Sequence, residues 1–150
     1  MSSLEIRDIN EKDKFEFLKM VKDLFNSDAV ITNYDETIAL LNYENAITRS
    51  KFLRCLIFEV GGEIVGYSCL SFGYSTSLAS KCVLLEDLYF KPFARSKGYG
   101  KQFFKWLFKE YRKNFKAIRL EVSKKNVLAK KFYEDLNFKV NEYIQMNLLI

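Results

Sequence analysis

The chain has 150 residues, of which 49% are hydrophobic and 29% charged, and its formal net charge is +5. This balance excludes a disordered chain, and the length fits a single globular domain over residues 1–150 that buries about two-thirds of its unfolded surface. The sequence contains no histidine, which excludes histidine metal sites, Ser-His or Cys-His nucleophile pairs and a histidine general base.

No stretch of the sequence has the composition of an export signal or a membrane anchor. The N-terminal stretch is charged from Glu5 onward and lacks the apolar core of a signal peptide. No apolar run approaches the ~18 residues of a membrane span. Cys55, Cys69 and Cys82 form no CxxC pair, and an odd number argues against a secreted disulfide framework. We therefore expect buried, reduced thiols, no metal site, no membrane partner and a cytoplasmic protein.

The first half of the chain is predicted to form a strand, two helices and a hairpin of two strands: residues 4–9, 11–25, 35–48, 53–60 and 63–72. Asn10 is a suitable N-cap for the first helix. The apolar stripe of that helix is expected at Phe15, Leu18, Val21, Leu24 and Phe25. Gly61-Gly62 supplies the two-residue turn of the hairpin.

The second half alternates between strands and helices: strand 82–90, helix 99–113, strand 116–122, helix 126–136 and a returning strand from residue 138. The core side of helix 99–113 is expected at Gly100, Phe103, Phe104, Leu107, Phe108 and Tyr111. Asn137 fits a left-handed C-cap. The order of elements predicts an α/β fold in which helices pack on a mixed sheet.

A basic, glycine-containing loop joins the buried strand to the helix after it: Arg95, Ser96, Lys97, Gly98, Tyr99, Gly100 and Lys101. Glycines allow a tight turn and keep Cβ atoms away from a ligand, while the helix start offers free N–H groups and a positive dipole end. The loop is therefore predicted to bind a phosphate or pyrophosphate, with Arg95 and Lys101 adding charge. The alternative is an ordinary strand-to-helix turn.

Lysines recur every four residues along the following helix: Lys97, Lys101, Lys105, Lys109 and Lys113. A solvated face opposite the phenylalanines accounts for this stripe, although its first two members lie where they would reach a ligand. Nucleic-acid binding is not expected, because the aromatic residues lie mainly on the other face of the helix.

Glu86 and Asp87 interrupt the otherwise apolar strand 82–90. Because neighbouring residues of a strand alternate between faces, one carboxylate is expected to point to solvent and the other into a cleft at the strand end. A buried carboxylate is unfavourable unless it is paired or solvated. An ion pair at the strand edge is therefore the alternative to a functional pair.

The chain resembles the GNAT acetyltransferase superfamily in two stretches, L-E-D-L-Y-F-K-P-F-A-R-S-K-G-Y-G-K-Q-F-F and L-E-V-S-K-K-N-V-L-A-K-K-F-Y-E-D-L-N-F. The first is similar to the strand, pyrophosphate loop and helix of that family, and the second to its other coenzyme-side motif. With the N-terminal elements, the resemblance covers nearly the whole chain. It implies a central, mostly antiparallel sheet with a splayed parallel pair, flanked by about four helices.

The resemblance implies acetyl-CoA as the cofactor. The backbone of Leu88, Tyr89 and Phe90 would pair with the pantetheine arm, and the backbone amides of residues 96–101 would hold the pyrophosphate. Asn126 and Ala129 would line the coenzyme from the other side.

The resemblance also implies two catalytic residues. Tyr133 matches a tyrosine that protonates the leaving thiolate in many members; from its own surroundings it is a half-buried tyrosine of an amphipathic helix. Glu86 matches a carboxylate of the polyamine and thialysine acetyltransferases, which holds the substrate amine and accepts its proton, often through water. Asp87 is a second candidate contact to the substrate, and the L-E-D motif is nearest to that branch.

The expected activity is therefore direct acetyl transfer to a primary amine of a small molecule, namely a polyamine, a lysine-like amine or an aminoglycoside. Two alternatives stay open: acetylation of a protein N-terminus or lysine, and an acyl-CoA-binding module without turnover. A homodimer is compatible with the tendency of exposed strand edges to pair. The N-terminal third, which selects the acceptor in the family, carries no readable acceptor signature.

Overall fold

The computed structural model describes residues 2–150, which form five strands and four α-helices. They follow in the order β1 (Glu5–Asp8), α1 (Lys14–Phe25), α2 (Glu36–Ile47), β2 (Leu53–Val60), β3 (Glu63–Ser75), β4 (Ser80–Phe90), α3 (Tyr99–Tyr111), β5 (Phe115–Leu120) and α4 (Val127–Asp135). Short 3-10 turns over Glu11–Asp13 and Pro92–Ala94 precede α1 and α3. The predicted order of elements is confirmed as far as α4.

The strands form one sheet in the order β1-β2-β3-β4-β5. All neighbours are antiparallel except β4 and β5, which run parallel. The parallel pairing joins residues 81–85 to residues 115–120 and ends there, so residues 86–90 of β4 continue without a strand on that side within the described chain. This mixed sheet, with a parallel pair whose strands separate, confirms the predicted fold class.

Two apolar cores cover the two faces of the sheet. Helices α1 and α2 pack on one face, where Phe17 meets Tyr67 edge to face at 5.3 Å between ring centroids. Helices α3 and α4 pack on the other face, where Phe103 contacts Phe58 at 4.9 Å. Each face of the sheet is therefore covered by a different pair of helices. The direction in which a strand side chain points decides which of the two cores it packs in.

Two of the predicted helix faces are partly wrong. In α1 the buried residues are Phe17, Met20, Val21 and Leu24. Phe15 is 80% exposed, since it lies in the first turn and outside this i, i+3, i+4, i+7 stripe. In α3, Phe108 is 58% exposed and the guanidinium of Arg112 lies 5.7 Å from its ring.

The predicted strand after α4 is absent from the described residues. Asn137 has φ of 72° and confirms the left-handed C-cap. Residues 138–150 then form neither helix nor strand. A strand needs a partner edge for its backbone groups, and no strand of the same chain pairs with this segment.

Gly66 permits an unusually close approach of β3 to β4. A Cβ atom added there would lie 2.2 Å from the carbonyl oxygen of Tyr89, so only glycine fits without a backbone shift. The residue therefore fixes the spacing of the two strands just before the loop that follows β4.

The three cysteines are buried free thiols, as predicted. Cys55 and Cys69 face each other across β2 and β3, with 2.7 Å between their sulfur atoms. Among residues 2–150, no helix combines the length and apolarity needed to cross a membrane.

Candidate active site

A β-bulge in β4 decides where the two acidic residues point. Cys69 of β3 pairs with Asp87, but its neighbour Leu70 pairs with Leu85, so Glu86 is an extra residue in β4. Two successive residues of a bulge oppose one residue of the partner strand, and alternation is interrupted there.

The interrupted alternation places both carboxylates on the face covered by α1 and α2. Leu85 and Leu88 both pack in the α3/α4 core on the opposite face, and Glu86 and Asp87 lie between them and line a single cleft. The expectation that the two carboxylates lie on opposite faces is therefore wrong, because it assumed an unbroken strand, whereas the expected difference in exposure is present: Glu86 is exposed and Asp87 is not.

This acidic cleft has a volume of about 420 Å³ and lies between the sheet and helices α1 and α2. Its polar lining residues are Asn42, Asn45, Ser50, Ser71, Glu86 and Asp87. No lysine or arginine of residues 2–150 lines it, although the chain as a whole is positively charged. The cleft therefore favours a cationic ligand.

Asp87 is the more deeply placed of the two acids. The hydroxyl of Tyr67, a fully buried residue, donates a hydrogen bond to its Oδ2 at 2.8 Å. Burial raises the pKa of Asp87 to about 6; the Tyr67 hydrogen bond opposes this and the neighbouring charge of Glu86 adds to it. Asp87 is thus a carboxylate that exchanges its proton near neutral pH.

Glu86 lies at the solvent-exposed side of the same cleft. Its residue is exposed, and its Oε1 accepts a hydrogen bond from Ser71 Oγ at 2.6 Å. The two carboxylates therefore have different surroundings, since Glu86 is exposed to solvent and Asp87 lies against the buried Tyr67.

The basic loop leaves the end of β4 through two left-handed residues. Ser96 has φ of 61° and Gly98 has φ of 83°, and an added Cβ at Gly98 would meet nothing within 4 Å. Gly100 has a different reason to be glycine, because an added Cβ would lie 3.0 Å from Phe132 of α4. The space above Gly98 is open to a ligand, whereas Gly100 serves the contact between α3 and α4.

Arg95 ties the loop to β4. Its Nε donates to the carbonyl of Phe90 at 2.8 Å, and its guanidinium lies 5.5 Å from the ring of Tyr89. Lys97 and Lys101 are exposed at the start of α3. Three cations therefore surround a helix N-terminus, an arrangement that suits a polyphosphate anion.

The backbone of residues 88–90 has a strand partner within residues 2–150 on one side only, and the carbonyl of Phe90 also accepts the bond from Arg95. Toward β3, Leu88, Tyr89 and Phe90 pair with residues 68, 67 and 66. On the other side the pairing with β5 has already ended, so an extended ligand can bond there as a strand would.

Helix α4 holds the remaining predicted residues. Asn126 caps the helix, its Oδ1 accepting from the N–H of Ala129 at 3.3 Å. Tyr133 is half-buried, and its ring packs edge to face at 5.9 Å against both Phe104 and Phe138. Burial raises the pKa of Tyr133, so its hydroxyl stays protonated at neutral pH. Tyr133 belongs to the α3/α4 side and does not line the acidic cleft.

Three residues beside the two acids have no counterpart in the sequence analysis. Asn42 and Asn45 of α2 line the cleft, and Tyr67 of β3 lies buried against Asp87. Asn42 and Asn45 are three residues apart, which puts both amides on one face of α2. This spacing is the only feature of the sequence that could have indicated them as site residues. Nothing in the local sequence indicated that this face meets the two acids of β4.

The model of the Acetyltransferase (GNAT) family matches residues 18–138. This match spans most of the chain, and the chain belongs to the GNAT acetyltransferase family. Within the family, the chain is 28% identical over 113 residues to a thialysine N-epsilon-acetyltransferase of Sus scrofa, and 27% identical to its counterpart in Mus musculus. Each match covers 70% of this chain and 65% of the relative's length.

Solved structures share the fold. A possible acetyltransferase from Clostridium difficile 630 superposes with a TM-score of 0.85 at 19% identity, over 99% of this chain and 98% of that one. An aminoglycoside N-acetyltransferase, AAC(6')-Iy in complex with CoA, superposes with a TM-score of 0.80 at 20% identity, over 99% and 96%.

Proposed function

We propose that this chain is an acetyl-CoA-dependent N-acetyltransferase that transfers the acetyl group directly to a primary amine of a small molecule with more than one amino group. The observation that carries the proposal is the acidic cleft, in which Glu86 and Asp87 share one face beside the free end of β4. A polyamine, a lysine-like amine and an aminoglycoside all meet this description. The named relatives, which are thialysine and aminoglycoside acetyltransferases, support it.

The coenzyme fits the groups on the other side of the β4 end. Acetyl-CoA would supply the acetyl group as an activated thioester. The free backbone of Leu88, Tyr89 and Phe90 would hold its pantetheine arm, and the amides of residues 96–101 its pyrophosphate. Arg95, Lys97 and Lys101 would neutralise phosphate charge, and Asn126 and Ala129 would approach from α4.

The amine has to lose a proton before it can attack. For an amine with a pKa near 10.4, neutralisation at pH 7 costs about 4.6 kcal/mol. Glu86 and Asp87 would attract the ammonium into the cleft, which favours binding but not deprotonation. A proton acceptor is therefore required as well.

Two carboxylates are candidates for that acceptor. Glu86 is exposed and would act through a water molecule. Asp87, with a pKa of about 6, is better matched to proton exchange near neutral pH. We propose Asp87 as the acceptor and Glu86 as the residue that holds the second amino group.

Tyr133 would provide the proton needed by the departing sulfur. Its phenol remains protonated at neutral pH because burial raises its pKa. We further propose that the chain acts as one domain in the cytoplasm, where its three free thiols stay reduced.

The test is release of free thiol from acetyl-CoA in the presence of single amines. Spermidine, lysine, thialysine and an aminoglycoside are compared with monoamines and with peptides carrying a free N-terminus or lysine. We expect turnover with a diamine or polyamine. Turnover with peptides alone would overturn the small-molecule assignment. Coenzyme binding by calorimetry without turnover on any amine would overturn the enzymatic one.

Variants then separate the roles of the acids. Glu86→Gln should mainly raise KM for the amine, and Asp87→Asn should mainly lower kcat, each by about 10- to 100-fold. Glu63→Gln, which removes an exposed carboxylate at the far end of β3, is the matched control and should leave both constants unchanged.

Tyr133→Phe addresses the proton donor. It should lower kcat by about 100-fold and leave the affinity for coenzyme unchanged, because the ring and its packing remain. Unchanged turnover in this variant would remove Tyr133 from the mechanism.

A further inference from the structure

Three successive residues of β3 hold β4 at the bulge, next to the acidic cleft. Gly66 lets the strands approach until an added Cβ would lie 2.2 Å from the carbonyl oxygen of Tyr89. The hydroxyl of Tyr67 donates to Oδ2 of Asp87 at 2.8 Å, and that of Ser68 donates to the backbone carbonyl of Asp87, also at 2.8 Å. Because a bulge disrupts the strand ladder locally, these contacts fix β4 where the ladder is weakest.

The side chain of Tyr67 is itself fixed by packing. It is fully buried, and its ring meets Phe17 of α1 edge to face at 5.3 Å and lies 6.0 Å from the ring of Tyr89. Burial and the neighbouring charge of Asp87 raise the pKa of Tyr67 well above its ordinary value. The phenol therefore stays protonated throughout the neutral range and keeps donating its hydrogen bond.

The two oxygens of the Asp87 carboxylate have different surroundings. Oδ2 accepts from Tyr67, whereas Oδ1 accepts no hydrogen bond from residues 2–150. Asp87 lines the acidic cleft, so Oδ1 is the oxygen that remains available to a ligand. A donor on one oxygen of a carboxylate favours its charged form and restricts the rotation of the group.

Few other titratable groups face Asp87. Within residues 2–150, the cleft is lined by one further charged side chain, Glu86, and by one further titratable residue, Cys69 of β3. Burial raises the pKa of Cys69 well above its ordinary value, so this thiol stays neutral. From α1, α2 and residues 50–53, only apolar, amide and hydroxyl side chains line the cleft. Among the described residues, the Tyr67 hydroxyl is therefore the group that favours the charged form of Asp87.

We propose that Tyr67 is a positioning residue for the transfer reaction: its hydroxyl favours the charged form of Asp87 and turns the free oxygen of that carboxylate toward the substrate amine. Tyr67 does not line the cleft itself, so it acts through Asp87. This role rests on the proposed function, in which the amine nitrogen loses one proton to Asp87 and the carboxylate becomes neutral. Ser68 supports the arrangement from the backbone, because it fixes the bulge that places Asp87 in the cleft.

Titration of the Asp87 carboxyl by carbon-13 NMR tests the contact without turnover, with the signal assigned by its loss in Asp87→Asn. Tyr67→Phe removes only the hydroxyl and should raise the pKa of Asp87 by about 1–2 units above about 6. Tyr43→Phe is the matched control, since Tyr43 is a buried tyrosine of the same core whose hydroxyl bonds the backbone of Glu11. It should leave the pKa of Asp87 unchanged. No shift in Tyr67→Phe, or equal shifts in both variants, would overturn the proposal.

The pH dependence of turnover tests whether the contact serves the reaction. At pH 7, kcat/KM of Tyr67→Phe should be about 2- to 10-fold below that of the parent protein. The deficit should vanish by about pH 9–10, where Asp87 is charged in both proteins. A deficit of the same size at every pH would indicate a merely structural role and would overturn the proposal.

A double variant tests whether Tyr67 acts through Asp87 alone. Tyr67→Phe combined with Asp87→Asn leaves no buried carboxylate without its donor, so it also serves if Tyr67→Phe does not fold. Its kcat/KM should equal that of Asp87→Asn, and a further loss would contradict the proposal. If Asp87→Asn by itself leaves turnover unchanged, the proposed proton acceptor is wrong. If Asp87→Asn lowers turnover but Tyr67→Phe moves neither the pKa nor the pH profile, only the role of Tyr67 is wrong.

Discussion

Asp87 and Glu86 are adjacent carboxylates with different surroundings. Asp87 lies under the hydroxyl of the buried Tyr67, and Glu86 is exposed beside Ser71. Burial makes the charged form of Asp87 unfavourable, which is why its pKa is raised to about 6. A carboxylate in a cleft whose pKa is raised in this way is typical of a functional site.

The free energy of unfolding should therefore depend on pH through the ionisation of Asp87. Because the pKa of Asp87 is raised in the folded state, ionisation of Asp87 destabilises the fold. The free energy of unfolding should therefore fall as the pH rises from near 4, the unfolded pKa, to about 6, the folded pKa, and should stay lowered above pH 6. Asp87→Asn removes the charge and keeps an oxygen for Tyr67. It should gain about 2 kcal/mol over the parent protein between about pH 4 and about pH 7.

Urea unfolding of the parent and the variant at both pH values measures the difference. Glu86→Gln, at the hydrated neighbour, is the control, and no comparable gain is expected. A constant difference between parent and Asp87→Asn at both pH values would mean that the Asp87 carboxylate is hydrated.

An ion pair joins β1 to the start of α1. Arg7 donates to both oxygens of Asp13, at 2.7 Å and 2.8 Å, and the N–H of Asn10 donates to Oδ2 at 2.9 Å. Burial raises the pKa of Asp13, but these bonds outweigh it and hold the pKa below its usual value. Asp13 therefore stabilises the fold above the unfolded pKa, near 4, and this contribution is lost as the pH falls.

Breaking this pair from one side should be strongly destabilising. Arg7→Met leaves the carboxylate of Asp13, whose side chain is 5% exposed, without its cation, and should cost about 3 kcal/mol. Arg112→Met, at an exposed arginine just after α3, should cost little. Denaturant unfolding at neutral pH compares the two, and a similar loss in both would show that the Arg7 pair contributes nothing specific.

The contact of β3 with β4 predicts a contrast between two glycines of the same strand. Gly66→Ala would push a Cβ against the carbonyl of Tyr89, whereas at Gly73 the nearest atom, on Leu84, lies at an ordinary 3.5 Å. Gly66→Ala should therefore lose about 3 kcal/mol of stability, and Gly73→Ala should be tolerated. Thermal unfolding of both variants is the measurement, and equal melting temperatures would contradict the close approach.

Periodicity in the sequence was sufficient to predict most strands and helices, but it could not predict features that depend on how two elements pair. The strands and helices up to α4, the Gly61-Gly62 turn and the cap at Asn137 follow from local residues. The bulge at Glu86 arises from the registers of β4 on β3 and could not be read from one strand. The predicted return strand after Phe138 is absent from the described residues, because residues 138–150 pair with no strand of the sheet.

At the scale of the whole molecule, two regions of opposite charge adjoin β4. Three exposed cations, Arg95, Lys97 and Lys101, lie on the loop after β4 and at the start of α3, while Glu86 and Asp87 line the cleft against α1 and α2. A single strand, β4, joins the two regions. This division suits an anionic ligand on one side and a cationic ligand on the other, with their reactive ends meeting where β4 and β5 part.

Binding of the coenzyme should stabilise the whole fold, because it would add backbone partners to residues 88–90. At a concentration about 100 times its Kd, acetyl-CoA should raise the melting temperature by about 5–10 °C. Pantetheine, which lacks the pyrophosphate, should raise it far less at the same concentration. Equal shifts with both ligands would mean that the basic loop does not bind phosphate.

The extra residue in β4 also governs which substitutions the strand can accept. Side chains facing α3 and α4 have odd numbers before it, as at Val83 and Leu85, and even numbers after it, as at Leu88 and Phe90. A scan with lysine along β4 should therefore disrupt the α3/α4 core at odd-numbered positions before Glu86 and at even-numbered positions after it. Deletion of Glu86 would restore regular alternation along β4 and leave Asp87 on the face of α1 and α2, so the cleft would keep one of its two acids.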